Sequence, residues 1–304
     1  MTSTTDSAKL SSPSTLRAAL AENGYVLIPS TLSHEDLTRL RTAALASTSL
    51  ARDGKWPHIR TLPKAFPPWP SDPSSGIWGV QHLLHPSLPQ SEVFASSYFS
   101  PIILATVCLL LECETSDLVM ELYNLLVRPD EDFSLRWHRD DVPPTASASE
   151  EEEILRQEMR HAQWNLALFD DESLIVVPGS HKRARTETER STGPFEEMRN
   201  QRIVKMKAGD VVFYNNNILH RGVYSSEKER MTLHGSMGVL GEDGVRARNV
   251  LQHGPGEWVD RCSFSDLAGE VEGEKVAVVA ERMRRALIDM AKVNANVGYS
   301  QSDE

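Results

Sequence analysis

Cysteine is scarce in this chain: Cys108, Cys113 and Cys262 are the three among 304 residues. Their number is odd and no two have CxxC spacing, which excludes a disulfide framework and a zinc knuckle. A chain of this length can bury a core that needs neither, and the cell interior is the default compartment. Positive charge is also short, with 32 Lys and Arg against 43 Asp and Glu and a net charge of −11. That balance speaks against nucleic acid or anionic lipid as the main partner. Long apolar runs are missing, and none approaches the roughly 18–20 residues of a membrane span. Met1 to Ser14 is Ser/Thr-rich without the apolar segment of a secretory signal. The last five residues, Ser-Gln-Ser-Asp-Glu, are not a Ser-Lys-Leu-type address. The expectation is a cytoplasmic protein with neither nucleic acid nor membrane as partner, its oligomeric state open.

What is present is the composition of an ordinary globular protein, 40% hydrophobic and 25% charged. Residues 1–13 read as a mobile tail. Ser14 or Thr15 can cap a helix ending near Asn23-Gly24, followed by a Tyr25–Pro29 strand. Ser33 with Asp36 resembles a capping box that opens a second helix. Residues 52–90 are irregular and rich in Pro, Trp and His, and are expected to form a lid, part of a substrate pocket or plain surface packing. Ser100 to Glu112 reads as a buried helix, with Cys108 in its core. From about Leu118 short strands alternate with Gly-, Pro- and Asp-rich turns: 118–127, 133–138, 164–168, 174–177, 211–214 and 231–237. The acid run Glu150–Glu153 reads as an exposed loop and helix start. Val276 to Lys292 has the apolar stripe of an amphipathic helix. One domain over 1–304 is expected, mainly β with flanking helices. It divides into a helical part (14–117), a jelly-roll core (118–240) and a C-terminal extension (241–304).

The chemistry gathers at Trp137-His138-Arg139-Asp140. On a strand, residues two apart share a face, so His138 and Asp140 offer an imidazole and a carboxylate on one side. His220, in Ile-Leu-His-Arg-Gly, can add a second imidazole. Two His and one carboxylate on one face of an octahedron suit Fe(II) and leave three positions open for a bidentate 2-oxo acid and O2. Arg230 can pair with the far carboxylate of such a co-substrate through its planar fork. Alternation places Arg230, Thr232, His234 and Ser236 on one strand face, so Thr232 can add a hydroxyl to that carboxylate and His234 can look deeper into the pocket. Arg136 shares the ligands' face, and Arg139 points to the other. His181 could pose as a ligand, but a loop-anchoring role after its Pro-Gly-Ser turn suits it better. A lone His-x-Asp says little; the ordered series His-x-Asp, Pro-Gly-Ser-His, Gly-Asp-Val-Val-Phe, His-Arg-Gly and Arg is what carries weight.

That series resembles the phytanoyl-CoA dioxygenase family of Fe(II)- and 2-oxoglutarate-dependent oxygenases. The matching stretches are Gly24–Pro29, Trp137–Asp140, Leu174–His181, Ala208–Phe213, Leu219–Gly222 and Arg230, within about residues 14–240. The resemblance implies a double-stranded β-helix, cupin-like, with His138, Asp140 and His220 as iron ligands and Arg230 on the far carboxylate of 2-oxoglutarate. It also implies that Trp164 lies near the cofactor and that Asn165 contacts the co-substrate. One departure is Asp170-Asp171-Glu172-Ser173, where the family has Glu-Asn-Gly; substrate preference is therefore not carried over.

The expected activity is oxidation of a C–H bond in a small molecule, with release of succinate and CO2. Hydroxylation, desaturation and cyclisation are all open, and the substrate can be a secondary metabolite, an amino acid or an acyl derivative. The carboxylate of Asp140 speaks against a halogenase. Two alternatives stand beside this expectation: a cupin-like metalloenzyme that does not use 2-oxoglutarate, and a non-catalytic binding protein with a vestigial site.

Overall fold

The structure, a computed structural model, describes residues 12–241, 244–294 and 297–299. The expected tail falls outside these except for its last two residues, as do the last five residues of the chain.

The chain opens with α1 (Pro13–Asn23), whose first turn is capped by Ser12 rather than Ser14 or Thr15. Gly24 ends it at φ +80°, a conformation few other residues take, and a Cβ there would lie 2.5 Å from Nδ1 of His181. Then come β1 (Tyr25–Ile28) and α2 (His34–Arg52), capped by Ser33 as expected. The segment read as irregular contains a hairpin, β2 (Ile59–Thr61) and β3 (Ile77–Val80). Helices α3 (Ser91–Tyr98) and α4 (Pro101–Leu111) lead to β4 (Leu118–Val127). There follow β5 (Phe133–Ser134), α5 (Ala148–Leu155), β6 (His161–Ala167), β7 (Leu174–Val176) and α6 (Glu187–Ser191). The strands β8 (Arg202–Ile203), β9 (Val211–Tyr214), β10 (His220–Tyr224) and β11 (Met231–Val239) complete the two main sheets. Beyond them lie α7 (Gly244–Leu251), a small hairpin of β12 (Glu270–Val271) and β13 (Glu274–Lys275), and α8 (Val276–Val293).

The strands form an antiparallel seven-stranded sheet, β1-β9-β6-β11-β4-β3-β2, and a four-stranded sheet, β5-β10-β7-β8. This is the expected jelly roll with flanking helices, its sheets not closed into a barrel. Three strands of the larger sheet come from residues before 118, so the β core reaches further back than 118–240.

The inner face of the larger sheet meets the smaller sheet over Ala167, Val176, Val212 and Ile218. Its outer face carries the main core, where Trp164, Phe213 and Leu233 pack with residues of α3, α4 and α8. The stripe Val279, Met283 and Leu287 is buried, so the C-terminal helix belongs to the core, against β4. No single helix among the described residues is long and apolar enough to cross a membrane; the bent pair α3 and α4 has the composition but lies in the core. Glu151 is a correction to the acid run, because it is fully buried and pairs with Arg185 and Arg190.

Candidate metal centre and active site

His138 follows β5 and pairs with His220, the first residue of β10, through two backbone hydrogen bonds of 3.1 Å. This isolated bridge sets the two rings 4.2 Å apart. Asp140 lies two residues on, its backbone tied to the Asn216 carbonyl at 3.0 Å. Its Oδ1 is 3.6 Å from Nε2 of His138 and 3.8 Å from Nε2 of His220. Among the described residues these three form the one group of His, Cys, Asp and Glu whose ligand atoms all lie within 4.8 Å of one another.

The donor set fits a metal such as Fe(II). Two ligand atoms on one ion at about 2.1 Å can be at most about 4.2 Å apart, and both distances to Asp140 satisfy that limit. Nδ1 of His138 donates to the Arg136 carbonyl, and Nδ1 of His220 to that of Ile218, each at 2.8 Å. Since a carbonyl only accepts, each Nδ1 carries the proton and each Nε2 lone pair faces the centre. Burial, and then the neighbouring His220, holds His138 well below the ordinary imidazole range, so it is neutral and free to ligate. The second oxygen of Asp140 accepts from Nε2 of Gln163 at 3.2 Å.

The three side chains open into a cavity of about 1010 Å³, part of it solvent at the mouth. Arg230 lines it, buried, its guanidinium carbon 4.2 Å from the centre of the Tyr224 ring. Nε of Arg230 meets Oδ2 of Asp171 at 3.1 Å, while its Nη1 is buried without a partner. Burial pushes the Asp171 carboxyl up, but Arg230 and the bonds from Ser173 and Thr232 outweigh it and leave the group below its usual value. Arg136 sits 4.3 Å over the Phe66 ring, and Phe66 stands edge-on to His138.

Two expected cofactor contacts are corrected. Thr232 is fully buried and does not line the cavity; its hydroxyl donates to Asp171 at 2.5 Å. Trp164 is fully buried on the opposite face of the sheet, among Tyr98, Tyr123 and Phe213, so it cannot touch a ligand in the cavity. Asn165 does line the cavity, and its Oδ1 lies 2.9 Å from Nδ1 of His234, which lines it too. Arg139 points away, buried and bonded to the Arg183 carbonyl, and His181 reaches the Ala21 carbonyl at 3.2 Å from outside the cavity.

Several cavity residues had no individual sequence signal: Arg60 on β2, and Asn249, Gln252 and His253 from the C-terminal segment. Asn249 donates to Asp141, which also accepts from Asn216 at 2.6 Å and Asn217 at 3.2 Å, so α7 is fastened beside the candidate ligand Asp140. His161 and Gln163 were within reach of a strand count. With Asn165 they are the alternate residues of β6, and that face lines the cavity.

The family model of phytanoyl-CoA dioxygenase (PhyH) matches residues 20–232. The chain belongs to this family. It is an enzyme, an Fe(II)- and 2-oxoglutarate-dependent oxygenase that uses O2. Solved structures share its fold. EctD from S. alaskensis, with 2-oxoglutarate and 5-hydroxyectoine, is 18% identical at a TM-score of 0.54 over 78% of this chain and 79% of its own. HygX from Streptomyces hygroscopicus, with nickel and 2-oxoglutarate, is 16% identical at 0.54 over 74% and 86%. The non-heme alpha-ketoglutarate-dependent epimerase SnoN from nogalamycin biosynthesis is 18% identical at 0.52 over 75% and 80%. No curated protein sequence matches the chain.

Proposed function

We propose that this oxygenase hydroxylates a C–H bond of a small organic molecule while 2-oxoglutarate is split to succinate and CO2. The observation that carries this is one cavity holding both the His138–Asp140–His220 cluster and the unpartnered Nη1 of Arg230. His138, Asp140 and His220 would hold Fe(II), which supplies the activation of O2. Gln163 holds the free oxygen of Asp140 and so directs the other toward the metal. Arg230 offers its Nη edge to the far carboxylate of 2-oxoglutarate, and Asp171 fixes that edge by engaging Nε. Thr232 supports the same arrangement from behind, through Asp171.

Phe66, Trp69, Trp78 and Tyr224 wall the cavity with rings, which limits water around the reacting carbon. Desaturation or ring closure on the same centre remain as variants of the same oxidation. A small substrate agrees with the molecules named in the related structures, 5-hydroxyectoine and nogalamycin RO.

The test is 2-oxoglutarate-dependent succinate release with Fe(II) and O2 over a panel of amino acids, aromatic secondary metabolites and acyl thioesters. One class should release succinate in step with an oxidised product, and Asp140→Ala should release none. An absence of Fe(II)-dependent 2-oxoglutarate turnover across the panel, with or without substrate, would overturn the proposal.

A further inference from the structure

Arg60 is a cation that the fold inserts into the active-site cavity without a direct ion pair; of the carboxylates, Asp140 acts on its charge only from beyond ion-pair distance. Its Nε is buried and has no hydrogen-bond partner, and no carboxylate among the described residues forms an ion pair with it. Its guanidinium carbon lies 5.0 Å from the ring centres of both Trp69 and Trp78. Those rings hold the charge by cation–π attraction and shield it from water. Gly79, its register partner on β3, makes the room, since a Cβ there would lie 3.0 Å from Cδ of Arg60. Burial draws its pKa down to about 10, which still leaves a full positive charge at neutral pH. Arg60 is half-buried, and a guanidinium partly withdrawn from water without an ion-pair partner opposes folding, so an anion that arrives with a ligand is the natural partner. Arg230 differs, because Asp171 already matches its charge.

We propose that Arg60 is the subsite for an anionic group, a carboxylate, on the molecule being oxidised. This rests on the oxygenase function proposed above, in which the metal and Arg230 account for both ends of 2-oxoglutarate. Arg60 is then left for the primary substrate. Its surroundings agree with a role in choosing that substrate. Trp69 comes from the loop between β2 and β3. Gln252 and His253, which line the same cavity, come from beyond residue 232, where the family match ends. His253 stacks on Trp69 with ring centres 6.3 Å apart and planes at 17°. The planar fork of arginine takes both oxygens of a carboxylate at once, and the flanking rings favour a flat group beside it.

The experiment uses the full chain loaded anaerobically with Fe(II) and 2-oxoglutarate, titrated in a calorimeter with benzoate and with its neutral isostere benzamide. Wild type should bind benzoate at least about tenfold more tightly than benzamide, as one charge-assisted pair requires. In Arg60→Gln the two should bind within about twofold of each other, and Arg60→Lys should recover part of the preference. The affinity for 2-oxoglutarate should change by less than about twofold in Arg60→Gln, whose fold is checked by its melting temperature. Equal binding of the two probes by wild type, no binding of either, or a preference that survives in Arg60→Gln each overturns the proposal. A selective loss of 2-oxoglutarate affinity in Arg60→Gln also overturns it, by assigning the cation to the co-substrate. Failure of wild type to bind Fe(II) and 2-oxoglutarate in the loading step would instead count against the function proposed above.

Discussion

Asp171→Ala tests whether the buried pair with Arg230 shapes the site. Asp171 and Arg230 are 4% and 5% exposed, and one carboxylate oxygen takes both Nε of Arg230 at 3.1 Å and the Thr232 hydroxyl at 2.5 Å. The other oxygen accepts from the Ser173 amide at 2.6 Å. Removing the carboxylate leaves a buried guanidinium and a buried hydroxyl short of a partner, at a cost of about 3–5 kcal/mol. Unfolding entropy of about 2.1 cal/mol/K per residue gives about 0.64 kcal/mol/K over 304 residues. The melting temperature should therefore fall by about 5–8 °C, followed by far-ultraviolet circular dichroism. The pH dependence has a definite sign. The folded carboxyl titrates below its usual value, so its contribution is present above about pH 4 and is lost as pH falls through the depressed value. The gap between wild type and Asp171→Asn should hold constant from about pH 5 to 8 and narrow only in stronger acid. A melting temperature for Asp171→Ala within about 1 °C of wild type, or a gap that widens in acid, would refute the pairing.

Asp140→Ala and His220→Ala should each weaken Fe(II) binding by at least about 100-fold, seen as loss of stoichiometric metal after anaerobic gel filtration. Gln163→Ala keeps all three ligands but frees the second oxygen of Asp140, and should weaken Fe(II) by about 10–100-fold in calorimetry. Gly235→Ala would set a Cβ 2.3 Å from Cζ2 of Trp164, and the overpacking should cost about 1–3 kcal/mol in chemical denaturation. Trp164→Ala should cost about 3–5 kcal/mol while the folded protein still binds 2-oxoglutarate as wild type does, because the ring is core and not cavity wall.

The candidate metal-binding face and the order of the strands were legible in the sequence because they depend on local rules. His-x-Asp puts two groups on one side of an extended chain, and the turn motifs around it mark where strands begin and end. Contacts that cross the fold were less legible. Asp171 stands in the stretch that departs from the family pattern, and only the fold shows that the departure supplies the carboxylate that grips Arg230 and Thr232. Arg60 lay in a segment too rich in proline and tryptophan to read as strand; its partners across β2 and β3 decide its position. Glu151 looked like surface acid because its neighbours are, whereas Arg185 and Arg190, more than thirty residues away, draw it inside.

Trp164 and Asn165 show a different kind of error, one that the sequence itself could have prevented. Adjacent residues on a strand point to opposite faces, so the two could not both line one cavity. Placing Asn165 at the site commits Gln163 and His161 to it, and commits Trp164 and Ala162 to the outer core; β6 does this along its whole length. The same rule on β11, carried back to Arg230 just before it, puts Arg230, Thr232, His234 and Ser236 on one face. It does not say which of them a ligand can reach. Asp171, just before β7, covers Thr232 but leaves Nη1 of Arg230 unpartnered, so a neighbouring segment, not the strand's own alternation, leaves Arg230 as the side chain proposed for the carboxylate. A face can be read from spacing alone, whereas access to it depends on what the rest of the fold lays on top.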